Sequence, residues 1–383
     1  MRRNVVQVLR LLKPPCRLLA VVKADAYGFG AREVARLAVE AGASMLGVTF
    51  VEEGLELRAA GIAAPILVFA PPLMHEAKAA VRSGLTLTVA DLQTARYLAM
   101  EARRAGVRAK VHIKVDTGMG RLGVLPGDLR PFLRGLAELP ELEVEGVYTH
   151  LAAVGKPARR QATTFAEACR IIAEEGWTIA LRHVCNSAAT LCYPELHLDM
   201  VRVGTLIYGQ VPPGVCRKIA LEDPWTVKAR LVQVRHMPAG SRVGYGRGFR
   251  LPSPRILGVI PVGFGDGLGL EPARPPETWR ELVRMGGRLL LGFGRGYSGS
   301  VRAEIRGQEV PVLGRLSMQL AVVDLTSVGG AAQGEEVVIR GLRRVFASAR
   351  IPRLYLSQGQ PYLLRRPEGW TAVSERERRE CSG

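Results

Sequence analysis

The sequence predicts an α/β chain in two parts: a (β/α)8 barrel over residues 1–215, then a mainly β domain over residues 216–383. Three observations carry this. Short apolar runs of β character alternate eight times with stretches of helical periodicity before residue 212. Polar residues recur where those runs end. From Val227 onward the helical pattern stops, and short strands alternate with Gly and Pro turns.

The opening MRRNVVQVLRLLKPP reads as an amphipathic helix stopped by Pro14 and Pro15. Its basic residues interrupt the apolar ones and no small-residue cleavage site follows, so an amphipathic helix is expected there and not a secretory leader. Strands are expected at residues 18–23, 44–50, 66–69, 85–89, 111–115, 144–150, 181–185 and 200–204. Between them, stretches such as AREVARLAVEAG, DLQTARYLAMEARRAG and TTFAEACRIIAEEG place apolar residues three and four apart and end in glycine. Eight strands joined by crossovers imply a parallel sheet, and eight is the number that closes a barrel. A doubly wound open sheet is the competing arrangement. The second part is read from VKARLVQVRHM, RILGVIPVGF, SVRAEIRGQEVPVLG, LAVVDLTSV and EEVVIRG, with a loosely held Arg-rich tail after Arg365.

The chain has 383 residues, 48% hydrophobic and 23% charged, the balance of a soluble globular protein. No apolar run approaches the roughly 20 residues of a membrane span, so a cytoplasmic protein without a membrane partner is expected. The net charge of +18 raises the question of nucleic acid. The excess is spread along the chain without a basic run interleaved with aromatics, so no nucleic-acid partner is expected. The six cysteines are scattered without a CxxC pair, which suggests neither a zinc site nor a disulfide framework. No metal is expected.

In a (β/α)8 barrel, functional groups stand at the C-terminal ends of strands. Lys23 and Tyr27 close the first strand in VVKADAYGFG; Lys114, Asp116 and Arg121 follow the fifth in KVDTGMGRLG. His150 ends the sixth in YTHLA, Asn186 and Ser187 follow the seventh in CNSAA, and Arg202, Gly204 and Thr205 belong to the eighth in MVRVGTLIYG. Taken singly, each has a plain structural reading: a snorkelling lysine, a satisfied core histidine, simple turns. Together they say more. A lysine at a strand's mouth is partly desolvated, so its pKa falls and its amine gains nucleophilicity. Loops after the seventh and eighth strands can offer a phosphate their backbone N–H groups, and Ser187, Gly204 and Thr205 suit that role. A phosphate site, a desolvated lysine and an arginine suggest pyridoxal 5'-phosphate held as a Schiff base.

With GYGRGF, VGFGDG and GRLSM following in order, the chain resembles the alanine racemase family over residues 4–326. That family comprises pyridoxal-phosphate enzymes with a barrel and a β domain. The resemblance implies that Lys23 anchors the cofactor and serves as one base. Tyr245, reaching into the partner's barrel in a head-to-tail homodimer, would be the other. Two bases on opposite faces of the α-carbon are what racemisation needs. A tyrosine with an ordinary pKa of about 10 is a poor base at neutral pH, and the resemblance supplies His150 and Arg202 as the relay behind it. Arg202 would face the pyridine nitrogen without protonating it. Arg121 would touch the cofactor's phenolic oxygen and the substrate carboxylate, positioned by a carbamylated Lys114. Tyr27, Asn186, Ser187, Gly204, Thr205 and Tyr208 would bind the phosphate or line its pocket. Met318, Gln319 and Phe264 would lie on the substrate side.

The chain departs from the family at five places. It begins at the first helix, where the family has an extended segment before it. Gln319 stands where aspartate is usual, and Phe264 where tyrosine is usual. The stretch after Val338 is shorter and lacks an Asn-Tyr-Glu tripeptide, while a longer insertion follows Gly267. The bases and cofactor ligands are kept and the substrate side is altered. The expected activity is interconversion of L- and D-alanine for cell-wall precursors. The alternatives are racemisation of serine or of a basic amino acid, and a non-catalytic cofactor-binding homologue.

Overall fold

The computed structural model describes residues 1–212, 215, 219–245, 248–270, 279, 282–284, 286–287, 297–340, 342, 350–366 and 368–374. They fall into two units, Met1–Pro224 and Trp225–Gly383. In the first, α1 (Arg2–Leu9) precedes eight strands: β1 (Arg17–Val21), β2 (Met45–Val48), β3 (Ile66–Val68), β4 (Thr86–Val89), β5 (Ala109–Lys114), β6 (Leu142–Tyr148), β7 (Leu181–His183) and β8 (Met200–Val203). The connections carry α2 (Ala31–Glu40), α3 (Val51–Ala59), α4 (Met74–Arg82), α5 (Leu92–Ala105), α6 (Leu129–Ala137), α7 (Lys156–Glu174) and the short α8 (Ser187–Cys192).

The eight strands pair in the order β7-β6-β5-β4-β3-β2-β1-β8, all parallel. An open doubly wound sheet would leave its edges apart. Here two main-chain bonds join the ends: Asp199 N–H donates to Arg182 O and Arg202 N–H to Cys185 O. The ring is closed, and the barrel expectation holds over its competitor.

Helix α5 shows how the sequence builds the outer layer. The Asp91 side chain accepts from Thr94 N–H at 2.7 Å as the N-cap, and Gly106 at φ 67° takes the left-handed C-cap. Ala95, Leu98, Ala99 and Ala102, three and four apart, are its buried face. Inside the barrel, Leu19, Val21, Met45, Leu67, Leu181 and Met200 pack together, with Tyr27 and Phe69 against them. Gly47 leaves room for this layer, since a Cβ there would stand 2.5 Å from the Phe69 ring and 2.6 Å from Leu19.

The second unit contains a seven-stranded antiparallel sheet built from β9 (Val227–Arg230), β10 (Gln233–Met237), β13 (Arg255–Ile260), β14 (Tyr297–Ile305), β15 (Gln308–Leu313), β16 (Ala321–Asp324) and β17 (Glu336–Arg340). A small ribbon, β11 (Arg242–Val243) with β12 (Phe249–Arg250), and a three-stranded sheet, β18 (Arg353–Ser357), β19 (Gln360–Arg366) and β20 (Gly369–Ala372), complete it. One expected strand divides. VKARLVQVRHM bends at Leu231 and Val232, whose N–H groups turn to Glu335 O and Val259 O. It thereby supplies β9 and β10 at opposite edges of the sheet. The loose tail expected after Arg365 is corrected in part. Residues 365–366 and 369–372 are held in β19 and β20, where Trp370 stacks on Tyr355 at 5.5 Å and Arg365 lies over Trp370 at 5.2 Å. Residues 375–383, most of the insertion after Gly267 and the short stretch 343–349 lie outside the described residues.

Candidate active site

Sequence places the lysine of VVKADAYGFG just beyond β1, and the backbone there is unusual. Ala24, Asp25, Ala26 and Tyr27 all have φ between 51° and 57°, a single left-handed turn of non-glycine residues. Each costs roughly 1–2 kcal/mol against the right-handed form. Two sets of bonds hold the turn: Gly28 and Gly30 N–H donate to Asp25 O, and Asp25 Oδ1 accepts from Ala31 N–H at 2.8 Å. Glu53, in the first turn of α3, accepts from Ala24 N–H at 2.5 Å and from Thr49 N–H at 2.7 Å, tying the lysine's neighbour to the end of β2.

The turn borders a cavity of about 580 Å³ at the C-terminal ends of the strands, lined by Lys23, Tyr27, Lys114, Arg121, His150 and Arg202 among others. Asn186, Ser187, Gly204 and Thr205 line it too. Asp116 is the carboxylate in this wall, but its oxygens are taken. Gly118, Met119 and Gly120 N–H donate to Oδ1 and Arg121 N–H donates to Oδ2. Burial raises the Asp116 pKa, the four N–H bonds outweigh it, and the carboxyl ends below its ordinary value. That nest shapes the loop carrying Arg121. The cavity therefore carries more basic than acidic side chains in its wall and suits an anion.

The cations alter one another. Burial lowers the Lys23 pKa, Arg121 lowers it further, and Glu53 opposes both. Lys114, buried with its Nζ 4.4 Å from the Tyr148 ring centre, falls well below its ordinary value through burial, Arg202 and Arg121. His150 is driven to about 2 by burial, with Arg202 and Lys114 adding to it, so its imidazole is neutral. Arg202 comes down to about 10 through burial and stays charged at neutral pH. Its Nη1 donates to His183 O at 2.8 Å and contacts His183 Nδ1 at 3.0 Å. Nη2 donates to Thr149 O at 2.6 Å and Val184 O at 3.1 Å. Among the described residues, no protein acceptor takes its Nε–H.

At the β8 end, Gly204 N–H donates to Ser187 Oγ at 3.0 Å. A Cβ on Gly204 would stand 2.5 Å from the Tyr27 hydroxyl. Thr205 Oγ1 is buried without a hydrogen-bond partner among the described residues, a costly state unless a ligand completes it. Asn186 is differently engaged: it caps α8 through Ala189 N–H and donates Nδ2 to Leu151 O. Tyr208 is outside the cavity wall. Its ring packs against Tyr27 at 4.7 Å and its hydroxyl donates to Val21 O at 2.9 Å, so it supports Tyr27 from behind. Sequence reading passed over Tyr148, which lies in the wall under Lys114 and Arg202. It ends β6 two residues before His150, and both line the cavity; its place at the C-terminal end of a strand was the available signal.

The remaining site residues belong to the second unit. Three motifs gather there. A Cβ on Gly244 would meet Arg315 N at 2.9 Å, so the Tyr245 loop lies on Gly314 and Arg315. Phe264 N–H donates to Ser317 O at 3.0 Å, and Gly265 N–H to Met318 O at 2.8 Å. Tyr245, Phe264, Met318 and Gln319 are all exposed on this unit. Asp266, buried, accepts from Arg350 through both oxygens and from Gly263 N–H, which locks the turn that presents Phe264.

Two family profiles match the chain: "Alanine racemase, N-terminal domain" over residues 1–212 and "Alanine racemase, C-terminal domain" over residues 225–352. An alanine racemase of Desulfosudis oleivorans is 39% identical over 353 residues, covering 88% of this chain and 84% of that protein. One of Symbiobacterium thermophilum is 37% identical over 345 residues, covering 89% and 85%. Among solved structures, the alanine racemase of Clostridium difficile 630 superposes with a TM-score of 0.84 at 26% identity, covering 96% of both chains. The Bacillus anthracis alanine racemase with bound L-Ala-P gives 0.79 at 26%, covering 95% of both. With both profiles matched, relatives above 30% identity over most of their length, and the same barrel and β domain, the chain belongs to the alanine racemase family.

Proposed function

We propose that this protein is a pyridoxal-phosphate-dependent racemase of alanine. It works as a head-to-tail homodimer in the cytoplasm and supplies D-alanine for cell-wall precursors. The observation that carries the reading is the cation-lined cavity at the strand ends, with a half-buried lysine of lowered pKa at its mouth. The residues fit the cofactor. Thr205 Oγ1 lacks a partner, Gly204 leaves room beside the Tyr27 hydroxyl, and Ser187 stands next to both, which together suit a phosphate. The unclaimed Nε–H of Arg202 suits the pyridine nitrogen, and Lys23 suits the aldehyde.

When bound, pyridoxal phosphate supplies an electron sink that acidifies the substrate's α-proton. Lys23 Nζ, easily deprotonated in its desolvated position, takes or returns that proton on one face. The phenolic oxygen of Tyr245 of the partner subunit does so on the other. Arg202 offers a hydrogen bond without giving up its proton, and so keeps the nitrogen it faces unprotonated. His150, neutral, is able to accept a hydrogen bond where a cation would repel its neighbours. Arg121 holds the substrate carboxylate. Burial and the two arginines hold the Lys114 pKa well below its ordinary value, which favours the free amine, the form that attacks CO2. Losing a proton, it would become a carbamate anion whose single charge offsets part of theirs.

The test is direct. The holoenzyme in heavy water with L-alanine should exchange the α-proton and bring optical rotation to zero; Lys23→Ala should do neither. Retained rotation with the wild-type protein would refute the reading. Phe264 and Gln319 alter the substrate side, so serine and lysine belong in the same assay, and faster loss of rotation with either would reassign the substrate.

A further inference from the structure

Four polar side chains from four strands form a single line leading away from the cavity: Arg202 on β8, His183 on β7, His112 on β5 and Glu145 on β6. His183 Nδ1 lies 3.0 Å from Arg202 Nη1, His183 Nε2 lies 2.9 Å from His112 Nδ1, and His112 Nε2 faces Glu145 Oε2 at 3.6 Å. Both atoms of the last pair are buried and have no hydrogen-bond partner among the described residues. They have each other and no competitor.

The backbone is shaped to make this line. Register between β5 and β6 passes from Val111↔Val144 to His112↔Gly146, leaving Glu145 as the extra residue of a bulge. The next residue is glycine for a reason: a Cβ on Gly146 would stand 2.7 Å from the His112 ring. Without it, the imidazole crosses β6 to reach β7. The other Glu145 oxygen, Oε1, pairs with Lys110 at 3.3 Å, which steadies the carboxylate.

The chemistry of the two ends dictates the direction of every bond between them. A guanidinium only donates, so His183 Nδ1 accepts and its proton sits on Nε2. That proton is donated to His112 Nδ1, so His112 also carries its proton on Nε2, aimed at Glu145. A carboxylate only accepts, so the line ends consistently. Burial holds both histidines below their ordinary pKa and hence neutral. We propose that Glu145 and His112 are positioning residues: the carboxylate at one end and the guanidinium at the other together set the tautomers of both histidines, the carboxylate holding the His112 proton on Nε2, and His183 so fixed holds the Arg202 guanidinium in its orientation. Only the catalytic consequence rests on the role proposed for Arg202 above.

The test uses protein labelled with 15N at histidine, whose ring signals report which nitrogen bears the proton, with or without bound cofactor. In the wild type, His112 and His183 should both be neutral and protonated at Nε2. Glu145→Leu should convert the His112 signal to a mixture of tautomers and lower kcat roughly tenfold through a misplaced guanidinium, with KM for alanine little changed. Glu145→Gln, which retains an acceptor oxygen, should restore the tautomers and most of kcat. Gly146→Ala, by displacing the His112 ring, should reproduce the Glu145→Leu spectrum in a protein that circular dichroism shows to be folded. A His112 proton on Nδ1 in the wild type, or Glu145→Leu with wild-type ring signals, would overturn the inference. A protein with the expected tautomers that racemises nothing would leave the bond polarity standing and remove the proposed function instead.

Discussion

Thr205 and Asp116 show how much single polar atoms decide in this cavity. The buried, unpartnered Thr205 hydroxyl is worth a hydrogen bond to a bound phosphate and a desolvation penalty in its absence. Thr205→Val should therefore weaken pyridoxal-phosphate binding about tenfold, some 1.4 kcal/mol, while leaving the melting temperature of the cofactor-free protein equal or higher. Fluorescence titration and thermal unfolding check the two halves. Asp116 has a folded pKa below its ordinary 3.8. Its contribution is present above that value and is lost as pH falls through the folded pKa. Protection from amide exchange, relative to the intrinsic rate at each pH, should fall at Gly118, Met119 and Gly120 as pH drops below 3.8, ahead of amides in the barrel strands. At this scale the sequence was legible wherever a charged side chain followed an apolar run, as with Lys23 and Arg202. Tyr148 and Tyr208 were harder, because whether a tyrosine lines a cavity or packs behind it depends on side-chain placement across strands.

Elements were legible where periodicity and punctuation agreed, as in α5 between Asp91 and Gly106. They were less so where a continuous β pattern changes partners, as at Leu231 and Val232, since nothing local marks a strand that leaves one neighbour for another. The bulge at Glu145 was equally hidden: one extra residue in a strand changes no composition, and only the register with β5 exposes it. Gly47 tests the barrel layer. Gly47→Ala places a methyl against Phe69 and Leu19, and should cost about 1–3 kcal/mol by overpacking, read as a lower urea midpoint with an unchanged slope.

At the scale of the whole molecule, the proposed sharing of active sites between subunits makes a quantitative prediction. Lys23→Ala and Tyr245→Phe dimers, each impaired alone, should recover about a quarter of wild-type activity when mixed one to one and allowed to exchange subunits. Half of the dimers are then mixed, and each holds one intact site of two. No recovery, with exchange shown by mass, would place both bases in one subunit. The net charge of +18 is legible without a structure, but its useful part, the cations around the cavity, is not, because those residues lie far apart in the chain. Ring closure has a consequence for how the protein is made. Strand β1 lies between β2 and β8, so one of its edges waits unpaired while the ribosome adds the residues from Val21 to Met200. At 5–20 residues per second that is roughly ten to forty seconds. During that interval Lys23 exists on the nascent chain without Arg202 beside it. The cation-lined cavity is complete only when the last strand docks, so the emerging polypeptide offers no finished site to a reactive aldehyde before the barrel has closed around it.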